Sequence, residues 1–177
     1  PPWIKPPTLL LKSSKTGFWH AFRWRYPPIL DLERQYYSDV VLAIAGVDEA
    51  GRGPLAGPVC AAAVVFPLDY RNPLIDDSKK LTAKKRDALF EEIKANALGY
   101  GIAMMSAEEI DRYNIYRATQ MCMEKALSQI ACDFGLVLTD AMPLPHYPKN
   151  VVPIIKGDAK CLNIAAASVL AKVDRER

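Results

Sequence analysis

The chain has 177 residues, half of them hydrophobic and 24% charged, with a net charge of +3. That size and balance fit one globular domain with a real core. No apolar run approaches the roughly 20 residues that span a membrane, and the early cluster Thr8-Leu9-Leu10-Leu11 is too short for a signal peptide, so a cytoplasmic protein is expected. Cys60, Cys122, Cys132 and Cys161 form no Cys-x-x-Cys pair and lack zinc-site spacing to His20 or His146. Buried, reduced thiols are expected rather than a zinc site or a disulfide framework.

Charge is unevenly spread. Residues 1–30 hold Lys5, Lys12, Lys15, Arg23 and Arg25 with no acid, whereas the remainder holds 18 basic against 20 acidic residues. The same segment contains Trp3, Trp19 and Trp24 and is punctuated by Pro1-Pro2, Pro6-Pro7 and Pro27-Pro28. Interleaved basic and aromatic residues suit phosphates and bases. Without a sustained period, residues 1–30 are expected to be a poorly ordered extension, leaving 31–177 as the domain.

From Asp31, a plausible N-cap, the composition turns helical to Tyr37. Residues 40–47 and 59–66 are predicted strands, joined by a glycine-proline corner. Asp76-Asp77-Ser78-Lys79-Lys80 is a charged turn before a helix over about 83–97, with Leu89, Ile93 and Ala97 on one face. Residues 100–105 read as a strand, and Ser106-Ala107-Glu108-Glu109 as a capping box opening a short helix. A longer helix follows from Asn114, with Ile115, Ala118, Cys122, Ala126 and Ile130 as its inner stripe. The strand 136–139 ends on Asp140, and the strand 151–155 runs into Lys156-Gly157-Asp158. An Ala-rich helix over about 161–173 closes the chain. This order predicts an α/β fold, a mixed sheet flanked by helices.

The first strand drives into Asp48-Glu49, and two later strands end at Asp140 and Asp158. Ligands in such sheets gather where strands terminate, and buried carboxylates require compensation. Four oxygen-donor acids at three strand ends could hold two hard divalent cations, Mg2+ or Mn2+. Such a pair hydrolyses phosphodiesters with no histidine, serine or cysteine as base or nucleophile. Asp48 and Glu49 are neighbours, so a regular strand would point them to opposite faces; sharing one site requires the strand to end or kink between them. Gly51-Arg52-Gly53 lets backbone approach a ligand closely. Lys79 and Lys80 are either phosphate contacts or an exposed helix start, and Asn114 either a ligand contact or an N-cap.

Several of these runs resemble type 2 ribonuclease H, bacterial ribonuclease HII. The run from Gly46 to Val59 (GVDEAGRGPLAGPV) carries most of the likeness. Asp77-Ser78-Lys79-Lys80-Leu81, Asn114 to Thr119, Ile155 to Lys160 and Ile164 to Val173 follow in the family's order. Ala50-Gly51-Arg52-Gly53 is more similar to type 2 than to the sister type 3 enzymes. The resemblance implies an RNase H-like fold and metal-dependent endonucleolytic hydrolysis of RNA in RNA–DNA hybrids. It includes cutting 5′ of single ribonucleotides in duplex DNA, leaving 3′-hydroxyl and 5′-phosphate ends. It implies that Asp48, Glu49, Asp140 and Asp158 hold the metals. Gly51, Arg52 and Gly53 would read the ribose 2′-hydroxyl, the group that separates RNA from DNA.

Two departures accompany the resemblance. The third acid usually precedes glycine, whereas Asp140 precedes Ala141. The family also continues past the last helix into a segment whose tyrosine stacks on a sugar, whereas this sequence ends at Arg177. The expectation is therefore a shortened chain, active as a nuclease or reduced to a nucleic-acid-binding module that keeps its metal site. A monomer is the default for a domain of this size.

Overall fold

The computed structural model describes residues 30–53, 57–76 and 78–177. The basic-aromatic arm (residues 1–29), Pro54-Leu55-Ala56 and Asp77 lie outside the described residues.

The first apolar run forms β1, Ile44–Ala50, later than its hydrophobicity alone suggests at both ends. At its start, Ser38 turns the chain: its Oγ accepts from the amides of Val40 and Val41 at 3.3 and 3.0 Å, leaving Val40 exposed. At its end the strand continues through both carboxylates, because β2, Val59–Val65, pairs with it antiparallel as far as Ala50↔Cys60. The end or kink between Asp48 and Glu49 that a shared site would require does not occur. A ladder partner satisfies the backbone there whatever the side chains carry.

After β2 come α1, Pro73–Asp76, a 3-10 turn at Ser78–Lys80, and α2, Ala83–Asn96. The Thr82 side chain caps α2 by accepting from the Lys85 amide. Strand β3, Gly99–Met105, leads into α3, Ala107–Tyr113, which opens with the expected Ser106/Glu109 capping box. The chain continues through α4, Ile115–Ser128, then β4, Leu136–Asp140, and β5, Val151–Ile154. A 3-10 turn at Gly157–Ala159 and α5, Leu162–Glu176, complete it. Pro153 is tolerated because β5 lies at an edge.

The five strands form one mixed sheet in the order β3-β2-β1-β4-β5. Strands β1, β2 and β3 pair antiparallel, while β4 lies parallel to both β1 and β5. Alternate residues therefore serve two cores. Ala45, Val47, Ala61, Ala63 and Val137 pack against the stripe of α4 made by Ala118, Cys122, Met123, Ala126 and Leu127. On the other face, Cys60, Ala62 and Val64 meet α5 (Ala165, Ala166, Val169, Leu170) and α2 (Leu89, Phe90, Ile93). The four cysteines are unbonded, three of them buried and Cys132 half-buried.

Alanines bring α5 close to the sheet, and Gly46 closes the remaining gap. A Cβ on Gly46 would fall 2.3 Å from the Asn163 carbonyl carbon and 2.4 Å from the Ile164 nitrogen. Asn163 reinforces the seam by donating from Nδ2 to the Ile44 carbonyl at 2.7 Å.

The segment predicted as helical from Asp31 is a 3-10 turn, Leu32–Tyr36, and Asp31 makes no side-chain cap there. Its acid that does cap is Glu33. Both carboxylate oxygens accept from the Leu162 amide at the start of α5, where Cys161 supplies no side-chain cap. Leu32 also donates its amide to the Lys160 carbonyl at 3.0 Å.

Candidate active site

Asp48 lies on the α5 face of β1, only 6% exposed. Its Oδ1 accepts from the Glu49 amide at 2.8 Å, and the Ser168 side chain from α5 also hydrogen bonds to it. Asp140 ends β4 on the same face. There its Oδ1 accepts from the Gly157 amide at 2.8 Å. That bond ties the β4 terminus to the turn bearing Asp158. One oxygen from each of Asp48, Asp140 and Asp158 lies within 4.8 Å of the others.

Two backbone bends shape this junction. Ala141 has φ +56° and Lys156 has φ +55°, the left-handed region that costs a residue with a Cβ. Ala141 stands where the related pattern carries glycine, and its φ accounts for that preference.

Glu49 follows the alternation and points to the α4 face, so it stands outside the three-aspartate group. Its Oε1 meets Arg52 Nη1 at 3.3 Å, while Oε2 is buried with no hydrogen-bond partner among the described residues. Burial pushes the Asp48 carboxyl well above the usual range, helped by repulsion from Glu49 and Asp140. Burial likewise raises Glu49 and Asp140. The three aspartates form an oxygen-only donor set that fits a hard divalent cation, with the Glu49 charge close enough to be felt by Asp48.

Lys79 Nζ reaches Asp158 Oδ2 at 2.6 Å, and that hydrogen bond holds its ammonium above the ordinary lysine value. Lys79 also lines a cleft with Glu49, Ala50, Gly51, Arg52 and Gly53 on one side and Arg86, Lys172, Arg175 and Glu176 on the other. Cations dominate this lining, as a polyanionic ligand requires. The three aspartates stand just beyond it, joined to it through Lys79 and Glu49. Lys80 shares the 3-10 turn but does not line the cleft. Asn114 is not brought to it either. It caps α4, with Oδ1 accepting from the Arg117 amide at 3.0 Å, at φ +65°.

Sequence reasoning missed Ser168, Lys172 and Arg175. They recur at i, i+4 and i+7 along α5, one helix face, within and just beyond the Ala-rich helix predicted over about 161–173. The spacing was visible; what faces it was not.

The ribonuclease HII family model matches residues 45–177. A ribonuclease HII of Geobacillus kaustophilus (strain HTA426) is 51% identical over 158 residues, covering 89% of this chain and 60% of the relative. One from Listeria monocytogenes serovar 1/2a (strain EGD-e) is 53% identical over 175 residues, 99% of this chain and 62% of the relative. This chain therefore spans about three fifths of the length of these curated relatives. Among solved structures, ribonuclease H2 from Pyrococcus horikoshii OT3 superposes with a TM-score of 0.67 at 27% identity, over 76% of this chain and 72% of that one. The mixed sheet and its flanking helices thus have the RNase H-like arrangement, and the chain belongs to the ribonuclease HII family.

Proposed function

We propose that this chain carries the catalytic centre of a metal-dependent endonuclease acting on the RNA strand of RNA–DNA hybrids, and 5′ of single ribonucleotides in duplex DNA. One observation carries the reading: Asp48, Asp140 and Asp158 converge within 4.8 Å beside a glycine-flanked loop and a cationic cleft. Asp48, Glu49, Asp140 and Asp158 would hold two Mg2+ or Mn2+ ions. When bound, such ions supply Lewis-acid activation of water and neutralise charge at the phosphodiester.

The chain's own residues do the rest. Lys79, Arg52 and Lys172 attract the sugar-phosphate backbone to the cleft, with Lys80 adding positive charge beside it. Gly51 and Gly53 let the loop backbone approach the ribose. Among the described residues, a Cβ on Gly53 would meet nothing within 4 Å, which leaves room for a ligand there. Asn114 contributes by fixing the start of α4. Hydrolysis adds water across the P–O3′ bond 5′ of the ribonucleotide, giving a 3′-hydroxyl on one product and a 5′-phosphate on the other. All four acids come from one chain, so a monomer suffices. No helix among the described residues is long and apolar enough to cross a membrane, which accords with a cytoplasmic nuclease.

The test is a duplex containing one ribonucleotide, incubated with Mg2+ or Mn2+ and either wild type or Asp48→Asn. Nicking by wild type alone is expected, with an all-deoxy duplex left intact. Since the chain spans about three fifths of its relatives, the competing reading is a binding module. Binding without nicking by wild type would establish that reading in place of the nuclease.

A further inference from the structure

The connection from Gly51 to Pro58 joins β1 to β2 and presents Gly51-Arg52-Gly53 to the cleft. Its two described ends meet the side chain of Arg175, in the last turn of α5. Arg175 Nε donates to the Pro58 carbonyl at 3.1 Å. A Cβ on Gly51 would fall 2.6 Å from that same Nε and 2.5 Å from the Pro58 oxygen. A Cβ on Gly57 would come within 3.5 Å of Nη2. Both glycines have positive φ, +105° and +120°. The Arg175 side chain therefore packs against both ends of the loop, at Gly51 in space that a Cβ would fill and at Gly57 in ordinary contact.

No carboxylate among the described residues lies within ion-pair distance of Arg175. Its donors go to the loop and the cleft. The helix that anchors it also places Ser168 on Asp48. One rigid element thus holds both the loop and the aspartate cluster, so Arg175 sets the distance between them.

We propose that Arg175 is a positioning residue for ribose discrimination, bracing the Gly51–Gly53 backbone at a fixed place relative to Asp48. The proposal rests on the nuclease reading above. A lysine could not substitute: its single terminal nitrogen offers no side-on donor at the Nε position and no planar group to lie along the glycines.

Arg175→Lys keeps the charge and removes the brace; Arg175→Ala removes both. Three quantities are measured on the full chain: amide exchange at Gly51–Gly53 without nucleic acid, affinity for one-ribonucleotide and all-deoxy duplexes in Ca2+, and kcat and KM in Mg2+. Thermal unfolding checks the fold. For Arg175→Lys the exchange should quicken about tenfold, reporting a local opening. Its preference for the ribonucleotide duplex and its kcat should each fall about tenfold or more, as misplacement of a reading group does. All-deoxy affinity should stay within about twofold, since the phosphate term is kept.

Unchanged exchange in both variants overturns the brace. Faster exchange with the ribose preference intact overturns its role in discrimination. Equal loss of affinity for both duplexes with unchanged exchange makes Arg175 a phosphate contact instead. If wild type itself shows no ribose preference, the nuclease reading fails; exchange then still decides whether Arg175 holds the loop.

Discussion

Glu33 and Leu162 lie 129 positions apart, yet both Glu33 carboxylate oxygens, at 3.1 and 3.2 Å, accept from the one Leu162 amide. The amide is an orphan donor at a helix N-terminus, which a carboxylate satisfies well. Burial nevertheless pushes the Glu33 carboxyl up from 4.5 to about 7. With the folded value raised, the folded chain keeps a proton that the unfolded chain releases between those two pH values. Stability therefore falls as pH rises from about 4.5 to about 7 and levels off above, by up to about 3 kcal/mol from this residue. Glu33→Gln keeps an acceptor for Leu162 without the charge. Urea unfolding across that range should show wild type losing stability relative to the variant; parallel profiles would refute the assignment.

Asp48 presents the same conflict at the reaction centre. Its burial beside Glu49 and Asp140 costs folding energy in the absence of a cation. Asp48→Asn should raise stability in chelator by about 1–3 kcal/mol, the scale for relieving buried like charges. Cleavage should fall on the order of a thousandfold. Paired melting curves and nicking assays measure both. A destabilised Asp48→Asn would mean that the carboxylate is compensated within the protein.

Ala141 holds φ +56° one residue after Asp140. Ala141→Gly removes the Cβ penalty at the cost of a more flexible unfolded chain, for a net gain of about 0.5–1 kcal/mol. The melting temperature should rise by about 1–4 °C with nicking unchanged.

Gly51 and Gly53 separate folding from recognition. Gly51→Ala would place its Cβ against Pro58 and Arg175 at φ +105°, destabilising the chain by about 2–4 kcal/mol. Gly53→Ala meets no neighbour among the described residues, so its stability should stay within about 0.5 kcal/mol of wild type. Its cleavage should drop about 10–100-fold if backbone at that point touches the ribose. Normal cleavage by Gly53→Ala would remove the residue from the substrate contact.

Most strands and helices were legible in the sequence because their apolar periods match what they bury. The α4 stripe through Ala118, Cys122 and Ala126 packs as its spacing implies. Charge beside apolar runs marked Asp48, Asp140 and Asp158, although only Asp140 ends a strand: Asp48 lies within β1, and Asp158 in the 3-10 turn after β5. Contributions that arise between distant segments escaped. The continuation of β1 through Glu49 depends on pairing with Cys60 and Ala61. Asp31 looked like a cap because its local pattern fits, but Glu33 is the acid beneath α5. Arg175 reads as a solvated helix end until the loop after β1 is laid over it.

The seam at Gly46 gives the catalytic corner an unusual kind of vulnerability. Asp48 is two residues along β1 from that glycine, and Ser168 is one turn along α5 from Ile164, its neighbour across the seam. At Gly46 sheet and helix are held in register by a missing Cβ, with the strand backbone directly against Asn163 and Ile164. One added methyl at Gly46 would wedge the two supports apart and alter the spacing of groups it never touches. Inactivating changes in this protein need not fall on any acid, base or cation of the cleft.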